Sequence, residues 1–429
     1  MDVNTVSPSD GVSLSRNDDD AISARDGAVI RDLGKRLAEV CALPAQAQKR
    51  DLWYRHNDLG GTRPLVFCDP ENGWNEIIRP EDLQCEGPLA REWEARLRRE
   101  LFWGTEMGDD RVCEPVFPVG FIHADSGFGV AENRHQLREG GAYNWDAPLK
   151  TFAQMDRLHP RHIEVDPERS RQRLEQAQAL LGDTLQVVQR TFWWWTCGLT
   201  MSYVYLRGLE QMMYDMVDEP DDVHRLMAFL RDDMLHLTQD LEQRGLLPQN
   251  HDGAYVGSGG FGYTRQLPAD GFDPAHVRLR DMWGFAESQE TVNISPAMFE
   301  EFVFPYQLPL LSQFGLNCYG CCEPVEGRWH LLEKIPNLRR VSVSPWSNAE
   351  RMGELLGSRY LFSYKPNPSR LALPTLDEDA ARADLRRGIA AAGRHGCMEI
   401  IMKDNHTIGR NPENVKRWCR MAREEAERV

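Results

Sequence analysis

Residues 340–364 read RVSVSPWSNAERMGELLGSRYLFSY, and their reading decides the fold. A strand-like run over 340–344 leads into Pro345-Trp346. A helical stretch over 348–356 stops at Gly357, and a second strand-like run over 360–364 leads into Lys365-Pro366. Two short strands separated by one helix predict parallel strands joined by a helical crossover. The same unit recurs on both sides. Upstream, a strand over 282–286 precedes a helix over 296–314, capped by Ser295 with Pro296 at its first position. The next strand, beginning near Leu316, runs into Asn317-Cys318-Tyr319-Gly320-Cys321-Cys322-Glu323-Pro324. Downstream, a helix over 378–392 ends at Gly393, and a strand over 398–402 ends in Lys403-Asp404-Asn405-His406 before the terminal helix over 412–427. Alternation of this kind begins near Asp166 and fills about 250 residues, which predicts a closed (β/α)8 barrel of α/β class rather than an open sheet.

The N-terminal part reads differently. Residues 1–22 are rich in Ser, Asp and Asn and are expected to form a disordered tail. Helical patterns over 23–43 and 91–102 flank a short strand over 65–68, so 23–110 is expected to be a mainly helical appendage and 111–429 the barrel.

Composition narrows the function. Hydrophobic residues make up 41% and charged residues 27%, as in an ordinary globular protein. A net charge of −16 argues against nucleic-acid or anionic-membrane partners. No apolar run is long enough for a membrane span. The start, Met1-Asp2-Val3-Asn4-Thr5, has no signal-peptide character, and ten cysteines without one predict reduced thiols and a cytoplasmic protein.

On such a barrel, chemistry gathers where the strands end at their C-terminal side. Three thiols within five residues suit a soft divalent metal such as zinc. Cys321, Cys322 and Cys318 are therefore the expected metal ligands, completed by His406 or Asp404 from the last strand. Buried free thiols are the alternative reading. Glu287, Lys365 and Asp404 are the catalytic candidates. Trp193, Trp195, Cys197, Trp283, Glu290 and Trp346 are expected to line a substrate pocket, with His123 on a polar loop beside it. The glycine-rich loop over 253–262 lacks the features of a phosphate cradle. Cys41, Cys68, Cys85, Cys113, Cys397 and Cys419 lie away from the strand ends and are expected to be packing residues.

Several short motifs, in order, resemble the uroporphyrinogen decarboxylase superfamily. They are Thr196-Cys197-Gly198-Leu199-Thr200-Met201-Ser202-Tyr203, Met216-Val217-Asp218-Glu219-Pro220-Asp221-Asp222-Val223-His224, Ile294-Ser295-Pro296-Ala297-Met298-Phe299-Glu300-Glu301-Phe302, and Asn411-Pro412-Glu413-Asn414-Val415. The resemblance implies a (β/α)8 barrel and either porphyrinogen decarboxylation or zinc-dependent methyl transfer with a corrinoid protein. The arginine-rich motif of the decarboxylases has no counterpart, since 116–126 holds no arginine. The methyltransferases carry a His-x-Cys pair and a distant third ligand. The thiol cluster and the Lys403–His406 segment resemble those two places, with Tyr319 where a His is expected and His406 where a Cys is expected. The resemblance thus implies a zinc-dependent methyl- or alkyl-transferase acting on a small methylated or aromatic substrate with a corrinoid partner protein. A decarboxylase, and a non-catalytic metal- or corrinoid-binding barrel, are the alternatives.

Overall fold

The computed structural model describes residues 21–131, 133–136, 143–393 and 396–429. The tail expected over 1–22 therefore lies, apart from its last two residues, outside the described residues.

Six parallel strands form the central sheet. They are β1 (Leu65–Cys68), β8 (Trp283–Ala286), β9 (Leu316–Tyr319), β10 (Leu338–Val343), β11 (Leu361–Tyr364) and β12 (Cys397–Met402), in the order β1-β12-β11-β10-β9-β8. Every residue of β1, β8, β9, β11 and β12 is buried. Burial on both faces is what a parallel sheet covered by its own crossovers requires, and it explains the near-continuous apolar runs. β1, expected within the appendage, pairs along its whole length with β12, so the sheet draws on both sides of the expected boundary near residue 110.

The closed eight-stranded barrel is not what the ladders show. β2 (Val116–Val119) and β7 (Gln186–Gln189) form a separate parallel pair, and among the described residues no ladder joins it to the six-stranded sheet. Isolated backbone-to-backbone hydrogen bonds stand at the two seams: Asp110 N–H donates to Val66 O, and Cys197 N–H donates to Phe285 O, both at 2.8 Å. The physical reason lies in the strands. β2 contains Pro118, which has no N–H to offer a neighbour, and β7 is polar at both ends and only partly buried. Two short antiparallel pairs complete the sheets. β3 (His123–Asp125) pairs with β6 (Ile163–Val165), and β4 (Asn133–Gln136) with β5 (Tyr143–Asp146).

The helices begin where capping chemistry says they should. Ser295, Asn348 and Asp377 each accept a hydrogen bond from the backbone N–H three residues on. The helix expected over 296–314 is instead two, Pro296–Phe302 and Phe304–Leu311, because Val303 leaves helical geometry just before Pro305 restarts it. No helix among the described residues is long and apolar enough to cross a membrane.

Glu399 of β12 ties these layers together. It is fully buried, accepts from Ser363 Oγ at 2.5 Å, and lies 2.8 Å from Arg340 Nε of β10 and 3.2 Å from His56 Nε2 of the N-terminal helix Pro44–Asn57. A buried carboxylate is tolerable only with this many partners. Arg340 and His56 hold it ionised against burial, with its pKa down at about 2.

Candidate functional site

Because β9 and β12 run parallel in one sheet, the residues after them emerge at the same rim. Gly320, at φ 90°, turns the chain sharply after β9. The turn brings Cys321 and Cys322 to face Lys403 and Asp404, which follow β12. Cys321 Sγ lies 3.6 Å from Cys322 Sγ, Cys322 Sγ lies 3.5 Å from Asp404 Oδ2, and Lys403 Nζ lies 4.0 Å from Cys321 Sγ. Lys403 also sits 3.2 Å from Asp404 Oδ1 and 3.7 Å from Glu71 Oε1. The expected meeting of the thiols with the last strand end is therefore present, through Lys403 and Asp404.

A third segment completes the cluster. In the loop 253–262, Ser258 Oγ donates to Cys321 Sγ at 3.2 Å. Its glycines allow the loop to lie directly on the sheet. A Cβ on Gly257 would stand 2.8 Å from Cys318 Cβ, and one on Gly259 would stand 2.5 Å from Ile401 Cγ2. The loop is a close-approach device, and Ser258 is the polar residue it delivers.

These neighbours set the sulfur chemistry. Hydrogen bonding from the Cys322 thiol, the Lys403 ammonium and the Ser258 hydroxyl together outweigh burial and bring Cys321 down to about 6. Cys322, its partner in that contact, is raised, first by the hydrogen bond with Cys321 and then by burial. Lys403 stays protonated well above its ordinary value despite burial, held by Tyr255, Cys321, Asp404 and Glu71. Behind the thiols, Glu323 accepts from Cys321 N–H and Ser288 N–H, each at 2.9 Å, and fixes the turn. Glu287 is fully buried, and its Oε1 has no hydrogen-bond partner. Burial, then Glu290, Glu323 and Cys321, push its pKa well up, which favours its neutral form.

Six described residues are left-handed without being glycine, and Glu71 (φ 47°), Leu199 (φ 66°) and Asp404 (φ 61°) are three of them. Glu71 and Asp404 flank Lys403, and Leu199 lines the neighbouring cavity. Such strain persists where surrounding structure enforces it, as at functional sites.

Other expected residues fall elsewhere. Cys318 lies within β9, fully buried, with Arg340 Nη1 at 3.6 Å from its sulfur. It sits below the rim and does not join the pair. His406 is exposed and faces the Asn72 amide at 3.5 Å, because the left-handed turn at Asp404 directs the chain away from the thiols. Trp283 starts β8 at the opposite end, with Nε1 bonded to Gly262 O and its face under Arg340. Cys197 is fully buried, and burial pushes its thiol up to about 12, as suits a packing residue. Lys365 follows β11, with Nζ donating to Ser363 Oγ at 2.6 Å; burial lowers it to about 8. Glu290 accepts from Thr200 Oγ1 at 2.7 Å. Tyr319 bonds Ser288 Oγ and Gln307 Oε1 and turns away from the thiols. Trp346 is exposed on the loop after β10. Trp193 and Trp195 line a cavity, with His123 edge-on to Trp193 at 4.9 Å.

Among the described residues no group of three or more His, Cys, Asp or Glu side chains is arranged as a ready metal centre. Cys321, Cys322 and Asp404 still have the donor chemistry for a soft divalent ion. A tetrahedral centre with metal–sulfur bonds of ~2.3 Å separates two sulfurs by about 3.8 Å. The Cys321–Cys322 sulfur spacing of 3.6 Å is close to that one edge.

No protein-family profile matches the chain, and no curated protein matches it either. Among solved structures, the chain is similar to a methyltransferase from Methanosarcina mazei, with a TM-score of 0.46 and 12% identity over 87% of this chain and 97% of that one.

Proposed function

We propose that this chain transfers a methyl or small alkyl group at the Cys321–Cys322 pair. The observation that supports the reading is the arrangement of Cys322, Ser258 and Lys403 around Cys321 Sγ at 3.6, 3.2 and 4.0 Å. A soft sulfur so surrounded is an activated nucleophile, kept inside a largely water-excluded rim. In the transfer step, the Cys321 sulfur attacks the methyl carbon in line with the leaving atom. A carbon–sulfur bond forms, the carbon–heteroatom bond breaks, and the heteroatom leaves with the electron pair. Where that atom needs a proton, the Glu287 carboxyl, raised by burial, is the acid we assign.

Zinc is the metal we assign here, held by Cys321, Cys322 and Asp404. When bound, it would supply the positive charge that keeps sulfur ionised or polarises a leaving heteroatom. A corrinoid on a partner protein is the acceptor we assign for the methyl group after the transfer. The six-stranded sheet and the β2–β7 pair are read together as an eight-stranded barrel open at two seams, with the thiols at its C-terminal mouth.

The test is direct. Purified protein and the Cys321→Ala/Cys322→Ala double variant are compared for zinc content and for trapping of a trideuteromethyl label from small methylated donors. We expect about one zinc per chain, and label on Cys321, in the parent only. Label on other residues, or zinc retained by the double variant, would contradict the assignment.

A further inference from the structure

The structure holds a second feature that methyl transfer alone does not specify. The loop after β7 carries Trp193, Trp194 and Trp195 along the wall of a cavity of ≈ 40 Å³, where Asp125, Arg161 and Asp233 also line it. The cavity has room for about three water-sized groups, which suits a small head group and excludes a ring system.

Its charge is as telling as its size. Arg161 is consumed by Asp233, whose Oδ2 lies 2.7 Å from Nη2 and 2.8 Å from Nε, while Oδ1 accepts from Arg161 N–H at 2.6 Å. The Arg161 guanidinium also lies over the Phe128 ring at 5.1 Å. This pair is neutral overall and buried, so it offers little to an anion. Asp125, at the end of β3, remains as the unbalanced charge, fixed by a 2.8 Å bond from Gly127 N–H. The wall opposite is aromatic. Trp193 Nε1 is engaged by Leu246 O at 2.8 Å, so this ring adds π surface to the wall and has no N–H left to donate. Aromatic faces with one excess carboxylate form the environment that holds an alkylated cation and discriminates against neutral and anionic molecules.

Trp195 belongs to the cavity lining, lies tilted against Phe285 with ring centroids 5.4 Å apart, and packs against the apolar cluster that also holds Cys318 and Cys321. We propose that this cavity receives the onium head, a methylated ammonium or sulfonium, of the methyl donor. The binding part stands on the cavity itself; only the fate of the methyl group rests on the methyl-transfer reading. In that step the Cys321 thiolate bonds the methyl carbon, the carbon–nitrogen or carbon–sulfur bond breaks, and the pair stays on the departing atom. The donor leaves as a neutral amine or thioether. Two opposite charges disappear, and no proton, oxidant or reductant is needed. Charge annihilation of this kind is favoured where water is excluded.

The experiment is calorimetric titration, with tryptophan fluorescence in parallel, of the full chain with methylammonium, dimethylammonium and neutral ethanol, probes small enough for the cavity. We expect both cations to bind at least about tenfold more tightly than the alcohol. Asp125→Asn and Trp195→Leu should each weaken the cations several-fold without affecting the alcohol. Trp195→Phe, which keeps an aromatic face, should retain most of the binding and guards against a folding defect. Equal affinity for cation and alcohol, no cation binding, or binding unchanged in both Asp125→Asn and Trp195→Leu would overturn the proposal. The double variant Cys321→Ala/Cys322→Ala separates the two ideas. Cation binding kept in that variant, without label transfer in the parent, supports the cavity and removes the methyl-transfer reading. Transfer from neutral ethers without cation binding does the reverse.

Discussion

A buried thiolate needs hydrogen-bond donors, and Cys321 has three neighbours able to supply them. The Cys322 S–H makes the largest contribution to its lowered pKa, so its removal should be the most visible change. In Cys322→Ala we expect the pH midpoint for alkylation of Cys321 by iodoacetamide to move upward, toward that of an ordinary thiol. The sign follows from the loss of a donor that favours the charged form. Mass-spectrometric alkylation rates between pH 5 and about 9 would check it, and an unchanged midpoint would show that Cys322 is a bystander. At this scale the sequence was partly legible. Cys321, Cys322 and Asp404 follow strands, and strand ends can be read from a pattern of apolar runs. His406 could not be excluded that way, because the left-handed backbone at Asp404 that turns it outward has no glycine to announce it. Ser258 and Glu71 were invisible, since each reaches the site from a distant segment.

At the scale of the element, the loop 253–262 matters most. Gly259, at φ 116°, has no room for a side chain over Ile401. We expect Gly259→Ala to cost about 1–3 kcal/mol of stability, as forced overpacking does. The displaced loop should also withdraw Ser258 and slow alkylation of Cys321 at neutral pH. Urea unfolding and alkylation of the same preparation would check both, and a stability loss without a reactivity change would separate the loop from the thiol. The glycine richness was legible, but a close approach to β9 and β12 needed the tertiary fold. The helix break at Val303 has the same origin. Periodicity continued through it, and only the backbone at that residue shows the interruption. The strand–helix alternation of the second half, in contrast, was legible almost residue by residue, because fully buried parallel strands must be apolar on both faces.

Across the whole molecule, Glu399 joins β10, β11, β12 and the N-terminal helix through Arg340, Ser363 and His56. Its folded pKa of about 2 lies below the unfolded carboxylate value of about 4.3. The stabilisation is thus fully present above the unfolded value and is lost as pH falls through the folded one. We expect Glu399→Gln to destabilise the protein by about 3–5 kcal/mol at neutral pH, because Arg340 is left buried without its charge partner. The difference from the parent should shrink in acid, and denaturant unfolding between pH 3 and about 7 would show it. A constant difference across that range would contradict the linkage. Closure of the sheet was the large-scale feature that sequence could not supply. Pro118 was visible, but whether the β2–β7 pair bonds to its neighbours depends on how far apart the two seams stand.

The most direct measurement is conversion of cob(I)alamin to methylcobalamin, followed by absorbance, with a panel of methylated onium and ether donors. Uroporphyrinogen turnover is followed in the same preparation. We expect methylation of the corrinoid by the parent protein and at least a ~100-fold slower rate for Cys321→Ser, as loss of a nucleophile brings. Uroporphyrinogen decarboxylation, or corrinoid methylation that continues undiminished in Cys321→Ser, would contradict a function centred on this thiol.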